Sequence, residues 1–217
     1  MRNESESSRG GIPTSATPMP QGVLLGVGGE PLIVGLPVFG IGSLALGMVL
    51  IGVVPMAALG GVVPIIVFAP GLYQIIVTLW AIFLGQSLVA AIFALFSGFW
   101  LSLGTLLVGL NLGWYGVSPA NVAGTQQVFF VTWACLFLLL TVLCTRLPAV
   151  YPLAVFLVFV AVALAAAAVS LASETLFLAT GAAALSFAFL AFYAWINVGM
   201  TATGARPFPP LGPPPVT

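Results

Sequence analysis

The chain has 217 residues, 61% of them hydrophobic and 4% charged, with four basic residues, four acidic ones and no His. A soluble domain carries about 25% charged residues, so a water-exposed surface over most of the chain is excluded. The zero net charge excludes a polybasic nucleic-acid face.

Met1 to Gly29 is not a secretory leader, because Glu4, Glu6 and a Pro/Ser/Thr-rich middle replace the apolar core such a segment needs. It reads as a disordered tail, residues 1–29. Apolar stretches of about 20 residues then follow, the length that crosses a bilayer as helix. Six are expected: Leu32–Val54, Val62–Leu84, Ser87–Leu110, Gln127–Cys144, Val150–Leu171 and Thr175–Val198. Continuous apolar runs rather than in/out alternation exclude a β-barrel. The fold class is all-α integral membrane, a six-transmembrane-helix bundle over residues 30–200. Residues 201–217, with RPFPPLGPPPVT at their end, read as an extended Pro-rich tail.

With six spans both tails share one side, and Arg2, Arg9, Arg146 and Arg206 all fall there. The positive-inside rule makes that side, and both termini, cytoplasmic, as expected of a multi-pass protein of the plasma (cell inner) membrane. Glu174 falls outside. Trp114 and Tyr115, in the loop before the fourth span, suit an interfacial belt. Gly40, Gly42, Gly47, Gly98, Ser102, Gly104, Thr105 and the run Ala165–Ala168 let helices approach closely in lipid.

Candidate chemistry is sparse. Cys135 and Cys144 would lie about 13 Å apart along one helix, too far for a disulfide. No metal or cofactor is expected. Without His, a carboxylate pair or a G-x-S-x-G elbow, the chain is not expected to be an enzyme. Glu30 and Glu174 would sit on opposite membrane faces.

The first span opens Glu30-Pro31-Leu32-Ile33-Val34-Gly35-Leu36-Pro37-Val38-Phe39. Pro31 suits the first helical position, and Glu30 meets the positive end of the helix dipole. Pro37 lies beyond the first turn. It is expected to kink or break the helix and to turn an amino end toward a cavity, a ready anion site. The glutamate and proline also serve as an ordinary helix start.

These residues resemble the first-helix signature N-P-A-P-L-G-L-x-x-F of the acetate uptake transporters, or succinate–acetate permeases. Glu30, Pro31, Gly35, Leu36 and Phe39 hold the same spacing, with Glu30 in place of Asn and Ile33 in place of the second Pro. A second segment is similar to the family's G-N-T-F-G-x-T-A-F-x-S-Y-G-x-F-W-L-S-x-G. It comprises Gly85-Gln86-Ser87, Phe93, and Phe96-Ser97-Gly98-Phe99-Trp100-Leu101-Ser102-Leu103-Gly104. Gly71-Leu72-Tyr73-Gln74 and Trp80-Ala81-Ile82 resemble G-L-A-Q and W-E-F. Trp133, Arg146, Gly181, Ala191-Phe192-Tyr193-Ala194 and Pro210-Leu211-Gly212 complete a likeness running from Glu30 to Gly212.

The resemblance implies six-helix protomers, each with its own pore, assembled as a homo-hexamer in the lipid bilayer. It implies a membrane channel or transporter for acetate and related short-chain carboxylates, succinate among them, passive or proton-linked. It assigns a pore constriction to Phe39, Phe96 and Val158, and a substrate path to Glu30, Pro31, Gly35, Leu36, Gln74, Ala191 and Tyr193. An apolar throat passes a small carboxylate only as it sheds water. Gln74, Ser97, Asn111 and Asn197 are candidates to replace part of that water, and equally to be interhelical hydrogen-bond partners. The family's Tyr and Leu are here Phe96 and Val158, which suggests a wider, drier throat. Glu30 is a candidate gate or proton site at the mouth. Two other classes stay open: a channel for small neutral solutes such as urea, ammonia or undissociated acid, and a non-transporting membrane scaffold.

Overall fold

The structure, a computed structural model, describes residues 28–216; the tail expected over residues 1–29 lies, up to position 27, outside the described residues. Among the described residues six helices are long and apolar enough to cross a membrane: α1 (Leu32–Leu50), α2 (Met56–Phe83), α3 (Ser87–Asn111), α4 (Pro119–Arg146), α5 (Val150–Leu171) and α6 (Glu174–Ala202). The chain is thus an all-helical, multi-pass membrane protein with the six-helix architecture that the hydropathy pattern predicts.

The helix ends depart from the expected spans for local reasons. α1 stops at Leu50 rather than Val54, because Gly52 takes φ of +83°. The Gly52 N–H then donates to the Val49 carbonyl and the Val53 N–H to the Met48 carbonyl, each at 3.0 Å. That paired reverse bonding closes a helix when a left-handed residue follows it. α5 ends the same way on Ala172, at φ of +47°, with Ser173 N–H donating to Ala168 O at 3.1 Å. α2 is not one regular helix. It begins as a 3₁₀ turn (Met56–Val62), continues as a short α segment (Val63–Ile66), widens to a π segment (Val67–Leu72) and resumes as α over Tyr73–Phe83. Pro64 and Pro70 lie in those segments and cannot donate to the preceding turn. The widened turn leaves the Gly71 carbonyl to accept the Ser97 hydroxyl from α3 at 2.7 Å. α4 starts several residues earlier than Gln127, and α6 runs past Val198.

Pro37 does not break its helix. α1 continues through it from Leu32 to Leu50. The carbonyl that loses its partner is that of Ile33, four residues earlier. It accepts the Trp195 indole N–H of α6 at 3.0 Å. A second helix therefore supplies the missing donor, as tolerance of Pro in a membrane helix requires. The broken-helix anion site expected here does not form.

The helices close into a ring. α1 packs most extensively on α6, α6 on α5, α5 on α4, and α2 lies between α1 and α3. The α3–α4 seam is made by side chains: Phe99 meets Phe137 edge-on at 5.3 Å and Trp133 edge-on at 5.5 Å, and Phe96 lies tilted against Phe137 at 4.8 Å. Close approach of α1 and α6 depends on small residues, with Gly40 under the Phe192 ring and Gly47 beside Leu185 and the Gly181 carbonyl. Outward faces carry exposed Ile76, Leu79 and Phe83 of α2 and Leu139, Val142 and Leu143 of α4. Such faces suit acyl chains.

The C-terminal segment after Ala202 folds back on the bundle. Asn197 Nδ2 donates to Pro209 O at 2.7 Å and the Tyr193 hydroxyl to Pro210 O at 2.7 Å. Val150 N–H donates to Leu211 O at 3.1 Å and Val216 N–H to Thr145 O at 3.2 Å. Val150 is the first residue of α5, and its N–H has no acceptor within the helix, so the tail caps α5. Arg146 and Arg206 consequently share one end of the bundle with Glu30, and Glu174 lies at the other.

Candidate functional site

Two cavities lie inside the ring. The wider, of about 220 Å³, is lined by residues toward the Leu50 end of α1, among them Ser43, Met56, Trp100, Val158, Thr180 and Ala184. The narrower, of about 100 Å³, lies toward the Leu32 end and is lined by Leu32, Leu36, Phe96, Leu147, Tyr151 and Ala191, with others. An apolar cavity of about 150 Å³ admits benzene, so the wider space is of small-organic-molecule size and the narrower one is smaller than that. Among the described residues, neither wall includes an Arg, Lys, Asp or Glu.

Aromatic rings separate the two spaces. Phe39 of α1 stacks on Phe93 at 5.1 Å and meets Phe96 edge-on at 4.6 Å. Phe187 of α6 contacts Phe39 at 5.9 Å and lies parallel to Phe96 at 6.1 Å. The preferred edge-to-face and offset geometries of such rings make a plug without any polar atom. Gly35 is necessary to it, since a side chain there would overlap the Phe93 ring. Dispersion and packing hold the plug together, so it is dense yet free of directional bonds.

Of the residues assigned by resemblance, the fold gathers Leu36, Phe39, Phe96 and Ala191 on the narrower cavity. Val158 lines the wider one. Phe39 and Phe96 touch, whereas Val158 faces the other side of the plug. Pro31 is buried at the start of α1. Glu30 is half-buried, and its carboxylate accepts the Leu32 N–H at 3.2 Å. Tyr193 lines neither cavity and holds the tail instead.

Gln74 also lines neither cavity. It is 0% exposed, and both its Oε1 and its Nε2 lack hydrogen-bond partners. Buried polar groups are nearly always paired, and an unpaired one costs about 1–3 kcal/mol. The other amide and hydroxyl candidates are occupied or peripheral. Ser97 is bonded to Gly71, Asn197 to the tail, and Asn111 is exposed. The Trp100 indole, on the wall of the wider cavity, likewise has an unpaired N–H.

Sequence reasoning misses Phe187, whose side chain borders both cavities and is 3% exposed. The signal was present as helical spacing: Phe187, Ala191, Ala194 and Val198 recur at four, three and four residues, one face of a helix, and all are buried.

The model of the GPR1/FUN34/yaaH family matches residues 17–209. Among solved structures, that of the bacterial acetate channel SatP superposes with a TM-score of 0.76 at 22% identity, covering 85% of this chain and 99% of that chain. That likeness carries the fold. No curated protein sequence matches the chain.

Proposed function

Since the chain belongs to the GPR1/FUN34/yaaH family, we propose that it is a membrane channel or transporter for acetate and related short-chain carboxylates. The observation that carries this reading is the line of wider cavity, aromatic plug and narrower cavity inside one protomer. The fold it shares with a bacterial acetate channel supports the choice of substrate. Phe39 and Phe96 form the narrow part on this reading, with Val158 on the wider cavity's wall beside it. Leu36, Gly35 and Ala191 shape its approach, and Gln74 supplies the buried polar group.

The walls carry no cation among the described residues, so these offer an anion amides, hydroxyls and helix ends to meet it. Crossing as the neutral acid, a proton moving with each carboxylate, agrees best with that wall, because an unpaired charge in an apolar medium is strongly disfavoured. The same wall favours a second reading, a path for small neutral solutes. Reconstitution in liposomes tests them. Labelled acetate should enter, faster when the outside is acidified and without current. Entry of urea or ammonia but not acetate supports the second reading, and no entry of any solute removes both.

Glu30 is the proposed proton site at the mouth of the narrower cavity. It precedes α1, two positions before the cavity-lining Leu32, whose N–H its carboxylate accepts. In Glu30→Gln, which cannot exchange a proton at this position, the acceleration of acetate flux by outside acid should be reduced. Unchanged pH dependence in a folded Glu30→Gln protein removes Glu30 from the role. The proposed location is the cell inner membrane with both termini cytoplasmic, on the side of Arg146 and Arg206. The proposed assembly is a homo-hexamer, testable by native mass spectrometry.

A further inference from the structure

We infer that Phe187 is the moving gate of the passage: its ring shuts the wider cavity off from the narrower one and joins them when it turns. This rests on the carboxylate-passage reading and adds the part that opens. Phe187 is the residue common to the two walls. Any route from one space to the other by the shortest line must displace its ring.

The neighbouring rings have less freedom. Phe39 is held on two sides, stacked on Phe93 at 5.1 Å and edge-on to Phe96 at 4.6 Å. Phe96 is held between Phe39 and Phe137, at 4.6 and 4.8 Å. Phe187 makes longer contacts, 5.9 Å to Phe39 and 6.1 Å to Phe96, and faces empty volume in both directions along the bundle.

Its own helix leaves that volume free. Ala184, three residues before it, lines the wider cavity, and Ala191, four residues after it, lines the narrower one. Residues at those spacings share a helix face. A phenylalanine in a helix adopts χ1 near 180° or −60°, and a change between these wells swings the ring without moving the backbone. Ala184 on the wider side and Ala191 on the narrower leave the ring room to turn, with Leu190 the one bulky α6 neighbour, on the wall of the narrower cavity. A ring of this size also sets which carboxylates pass, because the opening is the volume it vacates.

The test uses the full chain in liposomes with labelled acetate and labelled butyrate. Phe187→Ala should raise acetate flux about fivefold or more and raise the butyrate-to-acetate ratio. Ala184→Leu, which fills the space the ring needs, should lower acetate flux about tenfold with Phe187 in place, as overpacking a required volume implies. Monodisperse elution and a single thermal transition establish folding. If Phe187→Ala does not fold, Ala184→Leu decides: unchanged flux overturns the gate, and the loss supports it. Acetate flux in the unaltered protein with both variants unchanged overturns the gate alone. No flux in the unaltered protein overturns gate and carboxylate reading together.

Discussion

Gly181→Ala should lower the stability of the detergent-solubilised protein by about 2–3 kcal/mol, the upper part of the range for overpacking. A methyl group at Gly181 would lie 2.8 Å from Leu50 Cβ and 3.0 Å from the Ile51 backbone nitrogen. Backbone cannot rotate away as a side chain can, so α1 and α6 must move apart. Their contact is the most extensive in the ring, and membrane helices associate chiefly through such close packing. Gly124→Ala provides the opposite case. It sits in α4 with nothing within 4 Å of the added methyl, and should gain about 0.5–1 kcal/mol from reduced backbone freedom. Thermal melts of the two variants check both signs. A Gly181→Ala protein as stable as the parent would mean that the α1–α6 approach is looser than described.

Gln74→Leu should make the protein more stable and less active at once. The amide is fully buried with both polar atoms unpaired, so an apolar side chain of similar size relieves about 1–3 kcal/mol of desolvation. If the amide pairs with a carboxylate in transit, the same change removes a hydrogen bond to a charged group. That interaction is worth about 1.5–3 kcal/mol, or about 10- to 100-fold in acetate flux. A sequence that keeps an unfavourable group in its interior does so where function requires it. Higher melting temperature with unchanged flux would place Gln74 off the path.

The sequence made the architecture legible because lipid imposes long apolar runs, and each loop between them is short. It misjudged the ends of α1 and α4 by several residues, since hydropathy does not register a glycine that reverses the backbone at Gly52 or a proline start at Pro119. Pro37 was legible as an interruption, but its remedy was not. The Trp195 indole that takes the Ile33 carbonyl comes from another helix, and no local pattern announces it. The docked tail depends likewise on bonds to backbone carbonyls from Tyr193, Asn197 and Val150.

The site was legible where resemblance reached it. Phe39, Phe96 and Ala191 do share one wall. Phe187 was not singled out among 16 phenylalanines, because its importance comes from lying between two empty spaces, which only the packed ring creates. Among the polar candidates, residue type could not separate Gln74 from Ser97 or Asn197. Hydrogen-bond satisfaction does so, as of these three it is Gln74 whose side chain is left unpaired.

Acetate crossing through the protomer's own cavities is tested most directly by closing the narrower one. Ala191 is 2% exposed and borders that space, so Ala191→Trp places an indole within it. Labelled acetate flux into liposomes should fall to the level of protein-free vesicles, while the variant keeps its elution volume. Flux equal to that of the parent protein would show that acetate does not take this route.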